Sequence, residues 1–193
     1  MINKIKNTAI NTILIEAKAI ALLTESINEN FVNAVQIIAS SKGRLIVTGI
    51  GKSAIVGQKI VATLNSTGTP SIFMHAADAI HGDLGMIQDD DVVLCLSKSG
   101  ETSEIKVLVP FIKNLGNQIV AIVSNKKSYL AQQADFILHT PIEQEADPNN
   151  LAPTTSTTAQ IVMGDALATS LLAVKGFTPK DFAKFHPGGT LGK

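Results

Sequence analysis

Five short apolar runs, each set apart from the next by a turn or by a stretch of helical periodicity, leave this chain few folds to adopt. The runs are Arg44–Gly49, Ser71–Met74, Val92–Leu96, Gln118–Val123 and Asp135–His139. They are rich in β-branched residues and apolar without alternation, the pattern of strands covered on both faces. Between them, Ser53–Asn65 repeats apolar residues at helical spacing, with Ile55, Val56, Ile60, Val61 and Leu64 expected inward, and 102–114 does the same. A short helix is expected over about 128–133. Strands alternating with helices in this way predict a parallel sheet with right-handed crossovers and helices on both faces, an α/β/α sandwich.

Ahead of the first strand, residues 4–23 and 27–40 form two amphipathic patterns, which either wrap the sheet or pack against another copy of the chain. Beyond the last strand, 141–153 carries three prolines and several acids and reads as a loop. Ser156–Val174 reads as a long apolar helix stopped by Gly176, and Thr178-Pro179 opens a last short one. The tail Phe185–Lys193 reads as loop. With no repeat and no low-complexity linker, 193 residues make one domain, residues 1–42 supplying N-terminal helices and 43–193 the α/β core.

In open parallel sheets, ligands bind beyond the carboxyl ends of the strands where the strand order reverses. The chemically loaded stretches of this chain fall at such ends: Gly49–Ser53, His75–Asp83 and Ser97–Glu104. In the third, Ser97-Lys98-Ser99-Gly100-Glu101-Thr102 joins a strand to a helix, so free backbone N–H groups and the positive helix end converge where a phosphate fits. Ser97, Ser99 and Thr102 add neutral donors; a helix cap alone needs only one hydroxyl.

Gly49-Ile-Gly-Lys-Ser53 invites two readings that fail or weaken. A Walker A loop requires glycine five residues before Gly51, where Ile46 stands. Gly49-x-Gly51-x-x-Ala54 fits a relaxed dinucleotide fingerprint, but the second strand ends in Met74-His75 rather than in the acid that holds a ribose. The remaining reading is a helix start held close to a small phosphorylated ligand, with Ser53 as a donor and Lys52 as its cation.

Composition narrows the function classes. The formal net charge is zero, which argues against a nucleic-acid surface, and aromatics make up only 4%. The single cysteine, Cys95, excludes an internal disulfide and fits a reducing cytoplasm. No run of about 18 apolar residues suggests a membrane span, and the N-terminus lacks the apolar block of a secretion signal.

Taken together, Gly49-Ile-Gly-Lys-Ser, His81-Gly-Asp-Leu-Gly85, Ser97-x-Ser-Gly-Glu-x-Ser-Glu104, Leu151-Ala-Pro-Thr-Thr-Ser-Thr-Thr158, Met163-Gly-Asp-Ala-Leu167 and His186-Pro-Gly-Gly-x-Leu-Gly192 resemble the sugar isomerase (SIS) domain of arabinose-5-phosphate isomerases from about Arg44 onward. That resemblance implies a flavodoxin-like five-stranded parallel sheet, a homotetramer with sites shared between subunits, no cofactor, and interconversion of D-ribulose 5-phosphate with D-arabinose 5-phosphate for 3-deoxy-D-manno-octulosonate synthesis, for lipopolysaccharide or capsule. It implies catalytic roles for Lys52, Glu104, Glu145 and His186, the last reaching a neighbouring subunit, and a metal-sensitive histidine at His75 or His81. Relatives continue into a paired CBS module that does not follow here before Lys193, so either a short form or a truncated chain is expected. Lys98 stands where asparagine is usual in the family, a departure expected to add a cation near the phosphate.

The chemistry is feasible for these residues. An aldose–ketose isomerisation needs a phosphate anchor and a base of raised pKa to move a carbon-bound proton. Glu104 and Glu145 are the base candidates, Glu145 being preferred on resemblance, and Lys52 suits an enediolate oxyanion. His186 titrates near neutrality and suits ring opening or proton shuttling. His75 and His81 join the substrate contacts, but two histidines alone fall short of a zinc site. Thr154 and Thr155 are drawn from a cluster of hydroxyls at the long helix's start, more than a cap requires. Asp165 is expected as a buried acid and His139 as structural. A non-catalytic sugar-phosphate sensor, or an isomerase of another sugar phosphate, remains compatible with the same loops.

Overall fold

The structure, a computed structural model, describes residues 1–186. Eight α-helices and five strands run in the order α1 (Ile2–Leu22), α2 (Glu29–Ser40), β1 (Leu45–Gly49), α3 (Lys52–Ser66), β2 (Ser71–His75), α4 (Ala76–Ala79), β3 (Val92–Leu96), α5 (Ser103–Leu115), β4 (Ile119–Val123), α6 (Tyr129–Gln133), β5 (Phe136–His139), α7 (Thr155–Val174) and α8 (Pro179–Phe185) among the described residues. The strands form one parallel sheet ordered β2-β1-β3-β4-β5, the doubly wound order expected. Leu45 pairs with Ser71 on one side and Val92 on the other, so β1 and β3 lie side by side although β2 separates them in sequence.

Alternation along the strands sorts the core into two layers. Leu45, Val47, Leu94, Leu96 and Ile122 pack with α2, α3 and α7. Ile46, Met74, Val93, Cys95 and Ala121 pack with α4, α5 and α6. The central strand β3 is 4% exposed or less at every residue, which is why its sequence is unbroken in apolarity. Burying each such side chain stabilises the fold by about 2 kcal/mol.

At the strands' amino ends a polar clamp holds the layers in register. The Asp91 carboxylate accepts from the Arg44 backbone N–H at 2.7 Å and its guanidinium at 2.8 Å, and from the Gln88 N–H at 2.9 Å. The Asn117 amide donates to the carbonyls of Asp91 and Gln88, both at 2.8 Å. All of this lies at the end of the sheet opposite the loops that carry chemistry.

Three sequence expectations change. His75–Asp83 is not simply loop: α4 and a 3₁₀ turn at Asp83–Met86 break it into short elements without enough length to show periodicity. Ile55 faces outward, 61% exposed, because the apolar face of α3 runs through Val56, Ile60 and Leu64. Asp165 is not buried; it pairs with Lys59 across the α3–α7 contact, its side chain 42% exposed. The tail beyond His186, including the Pro-Gly-Gly-x-Leu-Gly stretch, lies outside the described residues. α7 is long and apolar enough to cross a membrane by length and composition; here Ala159, Met163, Leu167, Ala168 and Leu171 are buried in the core. α1 lies against α7 with Ala19 alone buried, leaving Ile5, Ile13 and Leu14 exposed.

Gly100 is required by the β3–α5 turn. Its φ is +67°, and a Cβ there would fall 2.1 Å from Ser128 Oγ, the hydroxyl that caps α6. Gly100→Ala is expected to cost about 3 kcal/mol through left-handed strain and overlap, read as a lowered midpoint in denaturant unfolding; an unchanged midpoint would show that the β3–α5 turn relaxes freely.

Candidate functional site

The reversal of strand order between β1 and β3 sends α3 to one face of the sheet and α5 to the other, leaving a crevice above the two strand tips. A cleft of about 210 Å³ occupies it. Lys52 and Ser53 line it from the start of α3, and Ser97, Lys98, Ser99 and Thr102 from the β3–α5 turn. Pro153, Ser156 and Thr157 close it from the start of α7. Five residues chosen from sequence therefore meet in one place: Lys52, Ser53, Ser97, Ser99 and Thr102.

The donors here are positioned by local folding. Gly51, at φ +59° and ψ −129°, turns the chain sharply after β1 so that α3 begins beside the strand tip. Ser97 Oγ accepts from the Gly100 N–H at 3.0 Å and Ser99 Oγ from the Glu101 N–H at 3.2 Å, which shapes the turn and leaves each hydroxyl proton to give. Thr102 is the N-cap of α5, yet its side chain makes no capping bond, and its buried Oγ1 has no partner among the described residues. The first-turn N–H groups of α5 are thus left uncapped beside an idle hydroxyl, the arrangement that binds an anion. Ser53 differs: its hydroxyl donates to Gln160 Oε1 at 3.2 Å.

Glu145 sits behind this wall rather than in it. Its side chain is wholly buried, and Lys98 Nζ lies 2.7 Å from Oε1. Ser156 Oγ donates to the same oxygen at 2.6 Å, while Oε2 accepts the N–H groups of Thr154 at 2.8 Å and Ser156 at 3.1 Å. The carboxylate thereby caps α7 from the loop that precedes it. Burial pushes its pKa up, but Lys98, Ser156 and the α7 amides outweigh that and hold it down at about 2. The expectation of a carboxyl tuned toward neutrality is overturned for Glu145 by these donors.

The remaining candidates stand apart from the cleft. Glu104, in the first turn of α5, accepts from Ser103 Oγ at 3.0 Å and is not among the lining residues. Thr154 receives the Ala146 N–H at 2.8 Å and supports the Glu145 loop. Thr155 is buried and lines a separate cavity of about 90 Å³ beneath α1. The hydroxyl cluster was legible in sequence, but the ones facing the cleft are Ser156 and Thr157, because the helix starts at Thr155 and its turn sets which side each faces. His75 ends β2 with Nδ1 3.7 Å from Asp78 Oδ2, and His81 is exposed. No group of three or more His, Cys, Asp or Glu side chains suited to a metal occurs among the described residues, so His75 and His81 gain no third ligand. His186 stacks on Phe182 at 3.8 Å between ring centroids and donates from Nδ1 to the Phe182 carbonyl at 2.8 Å, outside the cleft-lining set. His139 bonds the Ser124 carbonyl at 3.2 Å, and its pKa is lowered, mainly by burial.

A parallel α/β domain with a hydroxyl-lined cleft at its β1/β3 crevice is the class that fold and site define together. The family model for the SIS domain matches residues 37–170, and the chain belongs to that family. It is 52% identical over 187 residues to an arabinose 5-phosphate isomerase of Pseudomonas aeruginosa, covering 97% of this chain and 57% of that one. It is 49% identical over 190 residues to an arabinose 5-phosphate isomerase of Francisella tularensis, covering 97% and 58%. The chain thus spans little more than half the length of these curated relatives. A solved structure from Escherichia coli CFT073, in complex with arabinose 5-phosphate, superposes with a TM-score of 0.88 at 41% identity, covering 96% of this chain and 97% of that one.

Because the folded pKa of Glu145 lies near 2, below its ordinary 4.5, its carboxylate stabilises the fold above about pH 4.5 and that contribution is lost as pH falls toward 2. Chemical denaturation across this range is expected to show the stability gap between wild type and Glu145→Gln closing with acidification. A gap independent of pH would mean the carboxylate is not held by these charges.

Proposed function

We propose that this chain is an aldose–ketose isomerase interconverting D-ribulose 5-phosphate and D-arabinose 5-phosphate through an enediol(ate). The observation that carries the reading is the idle donor set at the strand-order reversal: the Thr102 hydroxyl, the uncapped start of α5 and the Ser97 and Ser99 hydroxyls around one cleft, with the Lys52 amine on its rim. The relatives named above support the choice of sugar.

In this mechanism the phosphoryl group rests on the β3–α5 turn, which fixes the sugar by one end. Lys52 stabilises charge developing on the enediolate oxygen. Glu104 is the carboxylate better suited to carry the carbon-bound proton, since Glu145 is committed to Lys98 and α7 and too weak a base as held. His186 opens the ring or shuttles the hydroxyl proton, and reaches the site of a neighbouring copy. A homo-oligomer, in the tetrameric form the family implies, agrees with Glu104 and His186 lying outside this chain's own cleft and with the exposed Ile5, Ile13 and Leu14 of α1. The reading includes a cytoplasmic enzyme, consistent with the buried free thiol of Cys95, and supply of 3-deoxy-D-manno-octulosonate synthesis for lipopolysaccharide or capsule.

The full chain incubated with D-ribulose 5-phosphate in heavy water is expected to yield D-arabinose 5-phosphate, followed by NMR for deuterium at C2. Lys52→Ala is expected to lower kcat about 100-fold or more with the fold intact by circular dichroism. Phosphate binding without any turnover would replace this reading by a sugar-phosphate sensor.

A further inference from the structure

Lys98 stands out among the cleft residues because it lines the cleft and is also ion-paired to a buried carboxylate. Its backbone is fixed, the carbonyl accepting from the Ser124 N–H at 3.0 Å at the tip of β4. Its side chain is 46% exposed and lines the cleft beside Ser97, Ser99 and Thr102, while Nζ reaches the buried Glu145 carboxylate at 2.7 Å. An ammonium has three N–H donors, and Glu145 is the one side-chain partner it has among the described residues. Glu145 does not depend on Lys98 alone, since the Ser156 hydroxyl and the Thr154 and Ser156 amides also hold it. The ammonium is therefore able to share itself with a second anion without leaving the first bare.

We propose that Lys98 is a phosphate-reading residue of this chain: its ammonium bridges the buried Glu145 carboxylate and a phosphoryl group seated on the β3–α5 turn. The inference rests on the proposed function only for the occupant of the cleft; the bridging geometry is independent of which sugar follows. A phosphoryl dianion beside the turn meets neutral hydroxyls and backbone amides, and Lys98 adds the charge-assisted bond that separates a phosphorylated sugar from a free one. Because the same ammonium touches Glu145, the bridge ties the phosphoryl group to the 141–153 loop and the start of α7. Lys98 thus contributes to ligand binding directly and positions Glu145.

The test is titration of inorganic phosphate into the full chain, read by calorimetry, alongside steady-state kinetics on D-ribulose 5-phosphate. Lys98→Gln keeps an amide donor for Glu145 and deletes the charge; it is expected to raise the phosphate Kd and the substrate KM about tenfold, with kcat reduced less than KM is raised. Lys98→Arg is expected to recover most of the phosphate affinity. Should Lys98→Gln fail to fold, Lys98→Met in the Glu145→Gln background removes the bare carboxylate and carries the same readout. Wild-type phosphate affinity in the charge-deleted variant, or a fall in kcat at unchanged KM, overturns the assignment while leaving the cleft in place. Absence of phosphate binding by the wild type overturns the reading of the cleft itself, and Lys98 with it.

Discussion

The cleft depends on one buried carboxylate more than on any residue that lines it. Glu145 comes from a loop between β5 and α7, yet its oxygens accept from two α7 amides, from Ser156 and from the Lys98 ammonium of the β3–α5 turn. Two elements that both line the cleft, with no covalent connection nearby, are thereby tied together. The loop itself is made rigid by Asp147, whose carboxylate accepts the N–H groups of Asn149, Leu151 and Ala152. A charge so deep persists because nearly every lone pair is used, the donors together offsetting the cost of burying the anion.

The legibility of the molecule in its sequence divides along the same line between local and distant causes. The five strands appear within about a residue of where β-branched apolar runs place them, since burial on both faces imposes a composition a reader can see. Lys52, Ser53, Ser97, Ser99 and Thr102 were found because strand tips beside a topological reversal gather whatever side chains the turns carry. The pairing of Lys98 with Glu145 was not legible: 47 positions separate them, and their meeting depends on the path of a loop that has no periodicity. That Ser156 and Thr157 line the cleft and Thr154 and Thr155 do not is a matter of helical phase, where one residue of offset turns a hydroxyl by roughly 100°. Glu145 reads from sequence as one loop acid among several, set apart only by family resemblance, and neither its burial nor the donors that come with it are visible there.

On the isomerase reading, a neutral chain must recognise an anion by local means. With a formal net charge of zero there is little long-range field to gather phosphorylated ligands, so affinity has to come from groups at the cleft itself. The two lysines there are not equivalent. Lys98 is paired with Glu145, which makes that corner nearly neutral in sum, whereas Lys52 stands on the opposite rim with no ion-pair partner among the described residues. The uncompensated positive charge therefore belongs to the α3 side, and the β3–α5 side offers oriented dipoles: hydroxyls, helix amides and an ammonium already balanced by its carboxylate. On the isomerase reading this asymmetry matches the substrate's own. The phosphate is charged throughout the reaction and gains from donors that are fixed before it arrives, while the enediolate oxygen is charged only in passing and gains from a cation with nothing else to neutralise it.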